Sequence, residues 1–258
     1  MPKNHTDIVG DERGGFMKTS RLGAILDLVP GDCGVVDIGT DHALLPIALV
    51  RRGQQGVIIG SDCRSGPLEA ARSNLIESGC IDRVELHLGF GLEVVEGRSD
   101  VEAAVLAGFG GKNIVEILER SLPQARSLRL LILQPMRDGH HLRCWLADQE
   151  FCLIDEELVE EDGRIYEIIV VGQGSSNWDV DDLAEAMGAP RSLLVGLGPC
   201  LVKKRHPLLL SLLNGRKEEM MDVMENLQAK ESERSRRRRQ ELSIQLGRLE
   251  KVIQWLSG

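Results

Sequence analysis

The sequence predicts an α/β chain built on a mainly parallel, doubly wound sheet, with a smaller helical element after it. Three observations carry this reading. Short apolar runs alternate with amphipathic stretches from about residue 19 to residue 149. The first two apolar runs each end in an acid, Asp37 and Asp62. Composition then shifts beyond residue 172, where two long helical patterns replace the alternation.

TSRLGAILDLV (19–29) reads as a helix capped at Thr19 or Ser20, with Leu22, Ile25, Leu26 and Val29 on one face. Pro30-Gly31-Asp32 is a turn into CGVVDIG (33–39), a short buried strand. A helix over 43–52, a strand over 57–62 and a helix over 66–78 follow, the last with Pro67 in its first turn, where proline is tolerated. Strands are expected over 84–88, 101–108 and 128–134, and helices over 111–121 and 139–149. FCLIDEELVEE and RIYEIIVVG form a hairpin around Asp162-Gly163. Such an antiparallel addition is absent from the simple dinucleotide-binding sheet.

Residues 172–177 (GQGSSN) read as a linker. Beyond it, Leu213, Met220, Met224 and Leu227 line one helical stripe, and Leu242, Leu246, Leu249, Ile253 and Leu256 another. Two such helices pack as an antiparallel hairpin. The organisation expected is a flexible leader over 1–15, an α/β domain over 16–172 and a helical domain over 173–258.

Hydrophobic residues make up 42% of the 258 and aromatics 3%, so the core is aliphatic. No run approaches the roughly 18 apolar residues of a membrane span. The six cysteines form no C-x-x-C pair and no zinc-like spacing, and the histidines show no ligand pattern, so neither metal nor disulfides are expected. Dispersed thiols suit a reducing cytoplasm. The net charge is −9, but residues 201–258 carry +5 and residues 1–200 carry −14. A basic element on an acidic chain is a footprint for phosphates. Its clusters are Lys203, Lys204 and Arg205, and Arg236, Arg237, Arg238 and Arg239.

Asp37-Ile38-Gly39-Thr40-Asp41-His42 lies where the first strand meets its helix, and open α/β sheets bind ligands at such strand ends. This turn is not G-x-G-x-x-G. One glycine flanked by acids disfavours a pyrophosphate and suits a zwitterionic amino-acid tail with a sulfonium; its backbone amides are expected to hold the carboxylate. Asp62 can accept both ribose hydroxyls of an adenosine-containing cofactor. Phe90 and Gly91, and Ala107 and Gly108, lie in glycine-rich loops expected at the same rim.

Taken in order, RLGAILDLVPGDCGVVDIGTDHALLPIALVRRG, SDCRSGPLEAARSNL, GFGLEVV, LAGFGGKNIVEILE, LILQP, LRCWLADQEF and EELVEEDGRIYEIIVV resemble the bacterial tRNA (adenine-N1)-methyltransferase family that modifies D-arm adenine 22. The resemblance spans about residues 17–171. It implies a Rossmann-like class I methyltransferase sheet, S-adenosyl-L-methionine as cofactor, and a C-terminal coiled-coil-like domain for tRNA. It assigns Asp37, Gly39 and Asp41 to the cofactor turn, Asp62 to the ribose, Ala107-Gly108 to the cofactor wall and Arg21 to the substrate side. No catalytic base is implied, and no membrane or protein partner. Three departures stand out. Phe90 replaces the Asp of the family's GDGLE, which lies near the cofactor adenine. AGFGG replaces AGMGG, and Gln134-Pro135-Met136 replaces QPN. A methyltransferase acting on another RNA base or on protein, and an RNA-binding module without catalysis, fit the same residues.

Overall fold

The structure is a computed structural model, and it describes residues 20–228 and 232–258. The expected leader lies outside the described residues. Seven strands form one sheet in the order β3-β2-β1-β4-β5-β7-β6. They are β1 (Val35–Ile38), β2 (Ile58–Asp62), β3 (Glu85–Leu88), β4 (Ala103–Gly110), β5 (Leu130–Arg137), β6 (Cys152–Glu161) and β7 (Arg164–Gly172). The first four pair in parallel, β2 with β3 and β1 with both β2 and β4. From β1 the chain steps outward to β2 and β3, then returns to the other side of β1 as β4. That reversal opens the crevice in which α/β sheets take ligands.

The chain divides into two compact units. The first holds described residues 20–107 and 117–133. Its helices are α1 (Arg21–Leu28), α2 (Leu44–Arg52), α3 (Ser65–Glu77), the end of α4 (Gly111–Arg120) and α5 (Leu122–Ser127). Ser20 is the residue that caps α1, its hydroxyl accepting the Gly23 amide at 3.0 Å. β1 and β2 are buried along their whole length, as central parallel strands require. Val35, Val36, Ile58, Ile59 and Leu106 form the middle of this core, with Leu49 of α2 and Leu75 of α3 against it. α5 was not expected from the sequence; its six residues follow directly on α4.

The second unit holds 108–116 and the described residues of 134–258. β6 and β7 form the expected antiparallel hairpin. Asp162 and Gly163 both have positive φ, 51° and 72°, the geometry of a type I′ turn. α6 (Gly139–Asp148) precedes it. Between the linker and the long helices lie three short ones that the sequence reading did not resolve: α7 (Asp181–Met187), α8 (Arg191–Leu197) and α9 (Pro199–Lys203). α10 (Leu209–Gln228) and α11 (Glu233–Ser257) then pack together. They run antiparallel. Lys217, early in α10, pairs with Glu250, late in α11, at 2.9 Å. Leu213, Leu242, Leu249 and Leu256 of the expected stripes are buried, joined by Val252.

A buried charge network ties this unit together. Arg143 of α6 has no exposed side-chain surface and pairs with Glu156 of β6 at 2.5 Å and with Glu167 of β7. Glu167 also pairs with Arg216 of α10, and Glu156 accepts the Cys200 amide of α9 at 2.9 Å. The expected boundary at 172/173 is therefore crossed by ion pairs inside this unit.

Candidate functional site: the carboxyl ends of β1 to β4

In the first unit the register Asp37↔Gly60 and Asp62↔Leu88 sets the ends of three parallel strands along one rim. Asp37 lies one residue before the end of β1 and Asp62 closes β2. Both are buried, 9% and 7% exposed. Burial pushes the Asp37 carboxyl up to about 7, and the nearby Thr40 hydroxyl offsets only part of that. No cation neutralises it among the described residues. Asp62 spends one oxygen on the chain, accepting the Arg64 amide at 2.9 Å and so shaping the approach to α3. The carboxylate expected at the ribose thus engages the chain through one oxygen, which also takes the Arg64 Nε at 3.4 Å.

The Gly39 turn differs from expectation in one respect. Gly39 has a positive φ of 79°, so glycine is needed there. Its amide and that of Thr40 both donate to the Ser61 carbonyl, at 2.7 and 2.9 Å. These two amides are consumed in joining β1 to β2 and do not face a ligand carboxylate. Two hydroxyls remain: Thr40 Oγ1 and Ser61 Oγ are buried without a well-formed hydrogen bond. Asp41 and His42 are exposed, their side chains 3.6 Å apart. Arg21 opens α1, half-buried.

Phe90 follows β3 and leads the 3₁₀ turn Gly91–Val95. Its loop leaves little room for side chains on either flank. A Cβ on Gly89 would stand 2.4 Å from Val94 Cγ1, and one on Gly91, where φ is +50°, 2.6 Å from Ile117 Cγ2. Arg120, at the end of α4, lays its guanidinium 4.3 Å from the Phe90 ring centroid. The same guanidinium pairs with Glu93 at 2.8 Å. A cation over an aromatic face is worth about 0.5–1 kcal/mol when exposed. No sequence signal marks Arg120, because its partner is thirty residues away.

Ala107 ends the β4 stretch of the first unit. In the second, Gly108 has φ +83° and donates its amide to Gln134 Oε1 at 3.0 Å. Gln134 is fully buried, and sequence reasoning gave it no role. Its place at an apolar strand end, before a proline, was the available signal. Gly111 is required: a Cβ there would lie 2.4 Å from the Asp138 carbonyl.

The basic clusters separate by partner. Lys204 is held by Asp155 at 3.4 Å, Glu157 at 3.2 Å and the Glu156 carbonyl. Arg205 stacks 4.6 Å from the Trp255 ring centroid. Arg238 pairs with Glu241 at 3.2 Å. Lys203, Arg236 and Arg237 are exposed and Arg239 half-buried. No group of three or more metal-ligating side chains occurs among the described residues, and no described helix is long and apolar enough to cross a membrane.

Residues 18–169 match the family model for a methyltransferase domain. The tRNA (adenine(22)-N(1))-methyltransferase of Bacillus subtilis (strain 168) is 30% identical over 236 residues, 91% of this chain and 96% of that protein. The chain belongs to the tRNA (adenine(22)-N(1))-methyltransferase family. The crystal structure of the B. subtilis M1A22 tRNA methyltransferase TrmK has a TM-score of 0.77 at 30% identity, covering 93% of this chain and 100% of that one. The Streptococcus pneumoniae protein Sp1610, solved in complex with S-adenosyl-L-methionine, has a TM-score of 0.74 at 30% identity, covering 90% and 98%. In this chain acids lie at or next to the ends of β1 and β2, and an arginine-backed phenylalanine follows β3.

The residues present fit S-adenosyl-L-methionine. An uncompensated buried carboxyl at Asp37 suits a cationic ligand, Asp62 keeps an oxygen for a ribose hydroxyl, and the Ser61 hydroxyl is buried without a partner among the described residues.

Proposed function

We propose that this chain transfers a methyl group from S-adenosyl-L-methionine to N1 of adenine 22 in tRNA. The observation that carries the reading is the pair of buried acids at successive parallel strand ends, in a chain of this family. Asp37, Gly39, Thr40, Asp41 and His42 form the turn at the cofactor's amino-acid end. Asp62 takes the ribose, Phe90 and Gly91 lie at the adenine, and Ala107 and Gly108 form the wall.

When bound, the cofactor supplies an electrophilic methyl: adenine N1 attacks with its lone pair, the N–CH3 bond forms as the S–CH3 bond breaks, and positive charge passes from sulfur to the ring. Neutral adenine needs no general base, so the chain's contribution is to position and to exclude water. The negative Asp37 carboxylate holds the cationic end of the cofactor. Asp62 fixes rotation about the ribose, which aims the methyl. The base reaches the pocket only after leaving its stack.

In the same reading, residues 16–172 act as the catalytic domain and 173–258 as the tRNA-binding domain, with α10 and α11 as a coiled-coil-like hairpin. Lys203, Arg236, Arg237 and Arg239 make its phosphate contacts, and Arg21 a substrate contact; Lys204, Arg205 and Arg238 are engaged within the protein. All six cysteines are free thiols, which suits work in the cytoplasm. Unmodified tRNA incubated with protein and cofactor should gain one methyl at adenine 22, read by mass spectrometry of nuclease digests. A methyl on another base, or none, refutes the assignment. Asp62→Ala should weaken S-adenosyl-L-methionine binding at least tenfold by calorimetry, with an unchanged circular dichroism spectrum.

A further inference from the structure

We propose that Phe90, backed by Arg120, is the residue that sets base selectivity in the cofactor site: it holds the cofactor's purine by its face and does not read the exocyclic group. The inference rests on the cofactor site proposed above and goes beyond it.

Four observations converge. Phe90 stands at the carboxyl end of β3, on the rim that holds Asp62. It is flanked by glycines at which a Cβ would crowd the Val94 and Ile117 side chains. One ring face is taken by the Arg120 guanidinium at 4.3 Å. The nearest acid in the turn, Glu93, is engaged by that same arginine at 2.8 Å.

The arrangement has a chemical consequence. A carboxylate accepts a hydrogen bond from a 6-amino group and repels a 6-oxo group, so it reads adenine against hypoxanthine. A phenyl ring presents only a π-face, and every purine has one to offer it. In the proposed arrangement the guanidinium covers one face of the ring and the purine takes the other, as a three-layer stack. Glu93, the acid in the same turn, already pairs with Arg120 at 2.8 Å. Arg120 is a positioning residue that acts through Phe90.

The test compares S-adenosylhomocysteine with S-inosylhomocysteine by calorimetry, so no turnover is needed. Phe90→Asp should raise the preference for adenine over hypoxanthine at least tenfold relative to wild type; backbone contacts to the purine are common to both proteins and cancel. An unchanged ratio overturns the proposal. Phe90→Leu keeps the packing and loses the π-face, so both ligands should weaken about five- to tenfold with their ratio unchanged. Full affinity for both in that variant also overturns it. Phe90→Tyr should bind as wild type does. Arg120→Met should weaken both ligands in wild type and add nothing in the Phe90→Leu background. An equal loss in both backgrounds shows Arg120 acting independently and defeats the clamp. Asp62→Ala separates the two levels of the argument. Binding lost there but indifferent to Phe90 removes only the selectivity role; binding indifferent to both removes the site.

Discussion

In the proposed site, Asp37 is the residue whose ionisation would couple most directly to ligand. Its carboxyl titrates near 3.8 in an unfolded chain and at about 7 when buried in the fold. A raised acid pKa means the folded state prefers the protonated form. Stability of the cofactor-free protein is therefore unaffected below 3.8, declines as pH rises from 3.8 toward 7, and levels off above it. A cationic ligand favours the carboxylate, so binding releases a proton below about pH 7. Cofactor affinity should rise with pH up to about 7 and then flatten, with proton release visible as buffer-dependent enthalpy in calorimetry. Asp37→Asn should flatten the profile and weaken binding. The acids at 37 and 62 were legible in the sequence because a strand end and the turn after it are contiguous. The occupied amides of Gly39 and Thr40 were not, since their acceptor, the Ser61 carbonyl, belongs to another strand.

Among elements, α6, β6, β7 and α10 are joined through Arg143, Glu156, Glu167 and Arg216. Burial alone would raise the Glu167 carboxyl, but the charges of Arg143 and then Arg216 overcome it and hold it at about 2. Its unfolded value is 4.5. The stabilisation is complete above pH 4.5 and is lost as pH falls from there through about 2. Urea midpoints should drop across that window, and the drop should shrink in Arg216→Ala. Arg143→Met should cost about 3–5 kcal/mol, because it strands buried carboxylates without their cation. None of this was readable in advance. The partners lie 13, 24 and 49 residues apart, and a lone arginine in an amphipathic pattern reads as a surface residue. α7, α8 and α9 escaped for a different reason. Helices of seven, seven and five residues complete too few turns for an apolar period to register. The long strands and helices were legible because their periodicity extends over several turns or pleats.

For the whole molecule, charge is divided between −14 over residues 1–200 and +5 over 201–258. Removing the C-terminal helices would test their role poorly, because Arg216 of α10 partners a buried carboxylate. Replacing Arg236, Arg237 and Arg239 with Glu should be cleaner. tRNA affinity should fall at least tenfold in filter binding, and the log–log salt slope should drop by up to about two to three. S-adenosyl-L-methionine affinity should be unchanged. Equal tRNA affinity at matched salt would remove α11 from the interface.

The stacking of Arg205 on Trp255 gives this chain an internal optical reporter. Of its three tryptophans, Trp178 is 2% exposed and donates its indole N–H to the Phe151 carbonyl at 2.7 Å. Trp255 is half-buried near the end of α11, beneath a guanidinium. The two therefore emit from different surroundings, the enclosed indole at shorter wavelength and the partly wet one at longer. Phenylalanine in place of Trp145 and Trp178 would leave Trp255 as the sole emitter. Fraying of the last turns of α11, which would part the ring from Arg205, would then register as a change in brightness without any label.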